Sequence, residues 1–187
     1  MTMDEHARLT RAVDVLEKAN IYIDDTPGLE AVELRSRARR MKNRNGVGLI
    51  VIDYLQLMNY GKFSRDGRQR ETMAISGAIK AMAKELKVPV IVLSQLSRAT
   101  EGRGDNFPKL SDLRDSGAIE QDADIVMLLY RPSYYQQGDD RNLDNLAILD
   151  VAKYRHGSTG RVRMSFQREF TRFEDRNEEE DEFNEQE

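Results

Sequence analysis

GLIVID at 48–53 and PVIVLS at 89–94 decide how the chain folds. Each is a short, nearly unbroken apolar run rich in β-branched residues, the pattern of a strand buried on both faces. Between them the sequence predicts a helix over about 71–87, with Ile75, Ile79, Met82, Ala83 and Leu86 on its core face. Strand, helix, strand in this order implies a mostly parallel sheet with helices on both faces. DIVMLLY at 124–130 reads as a third strand. LAILDVAKY, a turn at HGSTG, RVRMSF and FTRFE read as antiparallel strands at the C-terminal end. The fold class is therefore α/β.

Upstream, residues 4–19 place Leu9, Ala12, Val13 and Leu16 on one helical face, and IYID at 21–24 reads as a short strand. Thr26-Pro27 signals a helix start, with the hydroxyl as N-cap and the proline in the first turn. That helix runs to about Asn43, carries Leu34, Ala38 and Met41 inward and its arginines mostly outward, and ends at Gly46 and Gly48. LSDLRDSGAIEQDA carries a short helical stretch broken at Gly117, and 131–145 is polar and mobile.

Composition narrows the class. Hydrophobic residues at 39% and charged residues at 33% describe one soluble globular domain. There is no cysteine, which excludes disulfides, thiolate metal sites and a cysteine nucleophile, and fits a reducing cytoplasm. MTMDEHARLT lacks an apolar core, so no signal peptide is expected, and no apolar run approaches membrane-spanning length. The net charge of -4 hides an asymmetry. Residues 174–187 hold nine carboxylates against one arginine, which leaves residues 1–173 with 28 basic and 24 acidic groups. We expect a mildly basic folded body over 1–173 and a disordered acidic tail over 174–187.

Ligands of a parallel sheet sit at the carboxyl ends of its strands. Asp53 ends the first such strand. A carboxylate there is the Walker B arrangement, holding magnesium beside a nucleotide phosphate, although strand-end aspartates also cap turns. Gln95, in SQLSR at 94–98, suits contact with a γ-phosphate or an attacking water, or simply a strand end satisfied by backbone. Lys153 and Arg155 alternate along a strand beside a tight turn, which suits phosphate recognition or a solvated hairpin face. Arg114 beside Ser116-Gly117 suits a loop holding DNA phosphates, or an ordinary surface turn. Lys62, Arg65, Arg68 and Arg70 form a second basic loop. His6 and His156 lack metal-ligand spacing, and Ser94 has no histidine partner nearby.

The order of these segments carries more than any one of them. IYIDDTPGLEAVELRSRARRMKNRNGVGLIVIDYLQLM, AKELKVPVIVLSQLSRATEGR, PKLSDLRDSGAIEQDADIVMLLYR and VAKYRHGSTGRVRMSF together resemble the DnaB family of hexameric replicative helicases, from about residue 10 to 173. The resemblance implies part of a RecA-like ATPase domain in a homo-hexameric ring that moves along single-stranded DNA using ATP and Mg2+. It gives Asp53 the Walker B role and the metal, and Gln95 the γ-phosphate sensor. Lys153 and Arg155 become the basic pair reaching a neighbouring subunit's ATP. Arg114, Asp115 and Gly117 fall in one DNA-lining loop, and Lys62 and Arg65 in the other. Primase and a helicase loader are implied partners, through regions that are absent here or unknown. The family's GxxxxGK[ST] loop and catalytic glutamate belong upstream of the matched region, and neither occurs in residues 1–48. The chain alone is thus expected to be inactive. The alternative is a truncated, non-catalytic helicase paralogue that joins rings or DNA; a recombinase-type RecA relative ranks below both.

Overall fold

The computed structural model describes residues 2–61, 63, 67–97, 103–104, 106–135 and 145–176, and leaves out the side chains of 114–116. The elements are α1 (Met3–Lys18), α2 (Ala31–Asn45), β1 (Ile50–Ile52), α3 (Arg68–Leu86), β2 (Val90–Val92), α4 (Gly117–Asp122), β3 (Ile125–Tyr130), α5 (Pro132–Tyr135), β4 (Leu146–Tyr154), β5 (Gly160–Gln167) and β6 (Arg172–Asp175). Short 3-10 segments, Leu55–Leu57 and Leu110–Ser116, follow β1 and precede α4.

β1 and β2 pair in parallel, Ile50 with Val90 through Ile52 with Val92. Their inward residues pack on a core built mainly from α2 and α3: Ala38, Ile75, Ile79, Met82 and Leu86, with Leu55 and Met58 from the turn after β1. Four of the five α3 residues expected in the core are buried there; Ala83 is half-buried. Glu85 of α3 takes both Arg35 and Arg39 of α2, which fixes how the two helices lie together. The expectation that β1 and β2 are buried on both faces is corrected. Val51 and Ile91 are 57% and 41% exposed, because α2 and α3 cover the same face.

A second sheet runs β3-β4-β5-β6, antiparallel throughout; antiparallel pairing was expected of β4, β5 and β6, and β3 joins them through β4. Val126 and Leu128 of β3 meet Leu113 in a second core, with Leu96 beyond β2 packed against it. β6 continues to Asp175, two residues into the stretch assigned to the acidic tail. Arg176 follows, and 177–187 lie outside the described residues. So does most of 131–145, where α5 is the described part.

Three local expectations fail for tertiary reasons. IYID forms no strand, because no described residues pair with it. Asp24 is drawn to Arg37, at 2.7 Å, and that guanidinium, followed by Thr26, lowers its pKa to about 2. Thr26 does not cap α2. Its hydroxyl donates to Asp24 and accepts from Arg37, and the chain turns at Gly28 with φ +64°. The helix starts at Ala31 instead, where the Ala31 N–H finds the Asn59 carbonyl at 3.2 Å and Glu30 bridges to Asn59. Nor is the helix broken at Gly117, whose φ of -51° and ψ of -24° are right-handed; the 3-10 segment passes into α4 there. Gly46 does end α2, in the left-handed region at φ +67°.

α1 forms as read, closed by a capping box between Thr2 and Glu5. None of its residues is buried. Among the described residues no helix is long and apolar enough to cross a membrane.

Burial therefore predicts unequal losses on truncation. Ile75→Ala, at a fully buried position, should lower stability by about 2–5 kcal/mol in urea unfolding. Leu9→Ala, at a position 55% exposed, should change it by less than about 0.5 kcal/mol. Equal losses would show that α1 packs on the body.

Candidate functional site

The parallel register that pairs Ile52 with Val92 brings Asp53 and the segment after β2 to one edge of the sheet. Pairing continues past the strands. The Leu93 N–H donates to the Ile52 carbonyl, and the Leu55 N–H to the Leu93 carbonyl, both at 2.9 Å. Asp53 is exposed at this edge, and its peptide bond to Tyr54 is cis. Gln95 is exposed two residues beyond Leu93. Its N–H donates to Gln56 Oε1 at 3.2 Å, while Gln56 Nε2 donates to Ser94 Oγ at 3.0 Å and to the Gln95 carbonyl at 3.3 Å. Asp53 and Gln95, chosen from separate segments of sequence, thus share one edge. Beside it opens a cleft of about 310 Å³ lined by Gln56, Arg68, Thr72, Gln95 and Asp112.

Among the described residues no three His, Cys, Asp or Glu side chains converge as metal ligands. A lone exposed Asp53 carboxylate still suits magnesium, which takes one or two carboxylates and fills its remaining positions with water and phosphate oxygens.

Of the basic segment, Lys62 and Arg65 lie outside the described residues. Arg68 is described at the start of α3. Its guanidinium pairs with Glu71 at 2.8 Å and donates to the Gln56 carbonyl. Glu71 is buried and accepts the Tyr60 N–H at 2.9 Å. That N–H, and after it Arg68, hold its carboxyl below the usual carboxylate range. The other loop is anchored alike: buried Asp112 accepts the Lys109 N–H at 2.7 Å and pairs with Arg103. Arg114 and Asp115 have backbone in the 3-10 segment Leu110–Ser116, and their side chains lie outside the described residues. Gly117 opens α4.

Lys153 lies near the end of β4 and Arg155 in the turn just after it, and both reach the C-terminal end of α4. Lys153 Nζ donates to the Glu120 carbonyl, and Arg155 donates to the Gln121 carbonyl at 2.9 Å and to Asp124 at 3.2 Å. Cations at a helix C-terminus complement its partial negative charge. Asp124 also takes Lys80, the main reason its carboxyl sits below the usual range. This pair stands at the end of β4 in the antiparallel sheet, and no described hydrogen bond joins it to Asp53 or Gln95.

Sequence reading missed Gln56, Glu71, Asp112 and Asp124. Gln56 left one signal: it is the lone amide in the otherwise apolar run YLQLM. Glu71 left a weaker one, since Arg68 stands three residues before it at helical ion-pair spacing; Asp112 and Asp124 left none, because their partners are distant in sequence or are main-chain groups.

Residues 1–175 match the family model described as the DnaB-like helicase C terminal domain. The chain is 47% identical over 173 residues to "Replicative DNA helicase DnaB" of Geobacillus stearothermophilus, covering 92% of this chain and 38% of that protein. It is likewise 47% identical over 175 residues to "Replicative DNA helicase DnaC" of Bacillus subtilis, with the same coverage. Among solved structures it is similar to an ATPase domain, with TM-score 0.88 and 38% identity over 95% of this chain and 62% of that one. "The Structure Of A DnaB-Like Replicative Helicase And Its Interactions With Primase" gives TM-score 0.87 at 38% identity, over 95% of this chain and 42% of that one. These likenesses carry the RecA-like α/β fold; the chain spans 38% of the length of the two curated relatives.

The anchoring of the Arg68 loop predicts a pH signature. A carboxyl whose folded pKa lies below its unfolded value contributes stability above the unfolded value, about 4.3, and loses it as pH falls through the folded one. Glu71→Gln removes that titration and the charge facing Arg68. Its urea midpoint should be lower than wild type at neutral pH and fall less steeply below about pH 4.3. Parallel curves would mean that Glu71 is not ionised at this site.

Proposed function

The chain belongs to the DnaB-like helicase C-terminal domain family, and from that premise we propose that it is the C-terminal part of the ATPase motor of a replicative DNA helicase, a homo-hexameric ring translocating on single-stranded DNA with ATP and Mg2+. One observation carries the reading. Asp53 and Gln95 emerge from adjacent parallel strands at one edge, with the Gln56 amide holding the second strand's end.

In this reading Asp53 holds magnesium, usually through water, and Gln95 touches the γ-phosphate with an amide that does not compete as a base. Magnesium, when bound, neutralises part of the triphosphate charge. Arg155, with Lys153, serves a neighbouring subunit's ATP, and its partly exposed guanidinium favours that use. Arg114, Asp115 and Gly117, with Lys62 and Arg65, hold the DNA backbone. Such contacts are independent of base sequence and weaken with salt. Primase and a loader are its partners, and the assembly works in the cytoplasm.

GxxxxGK[ST] occurs nowhere in the 187 residues. Backbone N–H groups and a lysine around the β- and γ-phosphates are therefore supplied by polypeptide beyond them. The same fact is what favours the second reading, a non-catalytic module that joins rings or DNA. An in-frame phosphate loop in the coding sequence upstream of Met1 decides for the motor.

Phosphoryl transfer depends mainly on positioning and charge stabilisation. The purified 187-residue chain should consequently show no ATP turnover above background, with or without single-stranded DNA. Magnesium-dependent turnover abolished by Asp53→Ala would mean that the pocket is complete without the missing loop. In rings completed with that loop, Arg155→Ala should lower turnover by about 10³–10⁵-fold. Mixing Arg155→Ala with Asp53→Ala subunits should recover activity, since some interfaces then combine an intact Asp53 with an intact Arg155. Mixed rings that assemble and stay as inactive as either variant alone would remove the trans assignment.

A further inference from the structure

Gln56 takes the place of a missing strand partner. β1 ends at Ile52, yet the segment after β2 continues to Ser97 and needs partners at alternate residues. Leu93 is served by the Ile52 carbonyl and the Leu55 N–H. At Gln95, the next residue facing that way, a side-chain amide replaces the peptide. Gln56 Oε1 accepts the Gln95 N–H at 3.2 Å, and Gln56 Nε2 donates to the Gln95 carbonyl at 3.3 Å. The second Nε2 hydrogen has Ser94 Oγ at 3.0 Å. The amide can point only one way, because a backbone N–H only donates and a carbonyl only accepts.

Gln56 is itself fixed. It stands between buried Leu55 and Met58, and its carbonyl accepts the Arg68 guanidinium, which also pairs with Glu71. Arg68 stands near the end of the basic segment over 61–70, as the first residue of α3. Main-chain and side-chain groups of one residue therefore touch both the Gln95 segment and the end of that loop.

We infer that Gln56 is a positioning residue: it sets the backbone of Gln95 and connects that strand end to Arg68. What this means for function rests on the reading above, in which Gln95 faces the γ-phosphate and the 61–70 segment faces DNA. On that reading Gln56 is where DNA on one side and nucleotide on the other act on a shared group.

Amide hydrogen exchange of the 187-residue chain, followed by NMR, tests the placement. Gln56→Met keeps the bulk and removes all three bonds. The Gln95 N–H should then exchange about tenfold faster, the loss of one hydrogen bond of ordinary strength. The Leu93 N–H, held by Ile52, should not change. Gln56→Asn keeps the amide but not its reach and should behave like Gln56→Met. Unchanged exchange at Gln95 in the Met variant overturns the assignment; where that variant loses Leu93 protection too, unchanged exchange in the Asn variant does the same. Oligo-dT should move the Gln95 amide resonance in wild type, and leave it still in Gln56→Asn. An oligonucleotide that binds without moving Gln95 overturns the connection to Arg68. If none binds, the DNA reading of the proposed function fails, while the exchange data still decide the role of Gln56.

Discussion

Residues 93–97 are held by hydrogen bonds to two different parts of the chain. On one side Leu93 bonds to Ile52 and Leu55, and Gln95 to Gln56. On the other, the Ser97 N–H donates to the Asp112 carbonyl at 3.0 Å. Between them Leu96 packs against the second core, which joins Leu113 to Val126 and Leu128 of β3. The first core, under β1 and β2, and the second, under β3, share no sheet; this extended segment joins them, as does α3, which packs against Ile119 of α4 and bonds through Ser76 to Asp122. Extended backbone with partners on both sides has little freedom, so a side chain on it is presented at a defined place. Gln95 is that side chain.

The two loops flanking this segment are built on one electrostatic plan. Glu71 and Asp112 are both buried, each accepts a main-chain N–H, and each pairs with an arginine, Arg68 or Arg103. A buried carboxylate is tolerated when its oxygens are satisfied in this way, and removing one partner leaves a charge without compensation. The gain is in definition: the ends of two polar loops are pinned to the body by groups that cannot be exchanged for water without loss. Both lie beside residues proposed above to hold DNA. Loops that bind a polyanion must keep cationic tips available while their roots stay fixed, and a carboxylate at the root also stops the nearest arginine from joining the tip.

What could be read in the sequence was whatever local pattern decides. β1, β2 and α3 follow from apolar runs and 3.6-residue spacing, and the β4–β6 meander from alternation broken by turns. The shared edge of Asp53 and Gln95 followed too, because parallel strands end on the same side. Pairing was less legible. IYID has strand propensity, but a strand is made by its neighbour, and propensity is mainly fit to a half-buried surface. The start of α2 depends on Asn59, which lies beyond both that helix and β1 in the chain, and the bonds of Lys153 and Arg155 depend on carbonyls of α4. Gln56 shows the limit most clearly. Its chemistry was visible, but the groups it serves are identified only once β2 lies beside β1.

The exposed apolar surface bears on the same edge. α1 is amphipathic, with Leu9, Val13 and Leu16 at 55%, 53% and 63% exposure, and Val51 and Ile91 form an open face on the parallel pair. An isolated helix of this length is marginal in water, and its stability in proteins comes from burying its apolar face. The capping box at Thr2 satisfies main-chain groups but buries nothing. A stripe at helical spacing and a sheet face with alternate β-branched residues are both patterns for contact with further polypeptide. The solved ATPase domain that this chain resembles is covered over 62% of its length, so the relative has more chain with which to cover the equivalent surfaces. The phosphate loop proposed to come from beyond these residues would have to seat beside Asp53, at the edge of that same parallel pair. Polypeptide that buried Val51 and Ile91 would therefore stabilise the sheet and, by its position, complete the nucleotide site; in this reading, folding and catalysis wait on the same contact.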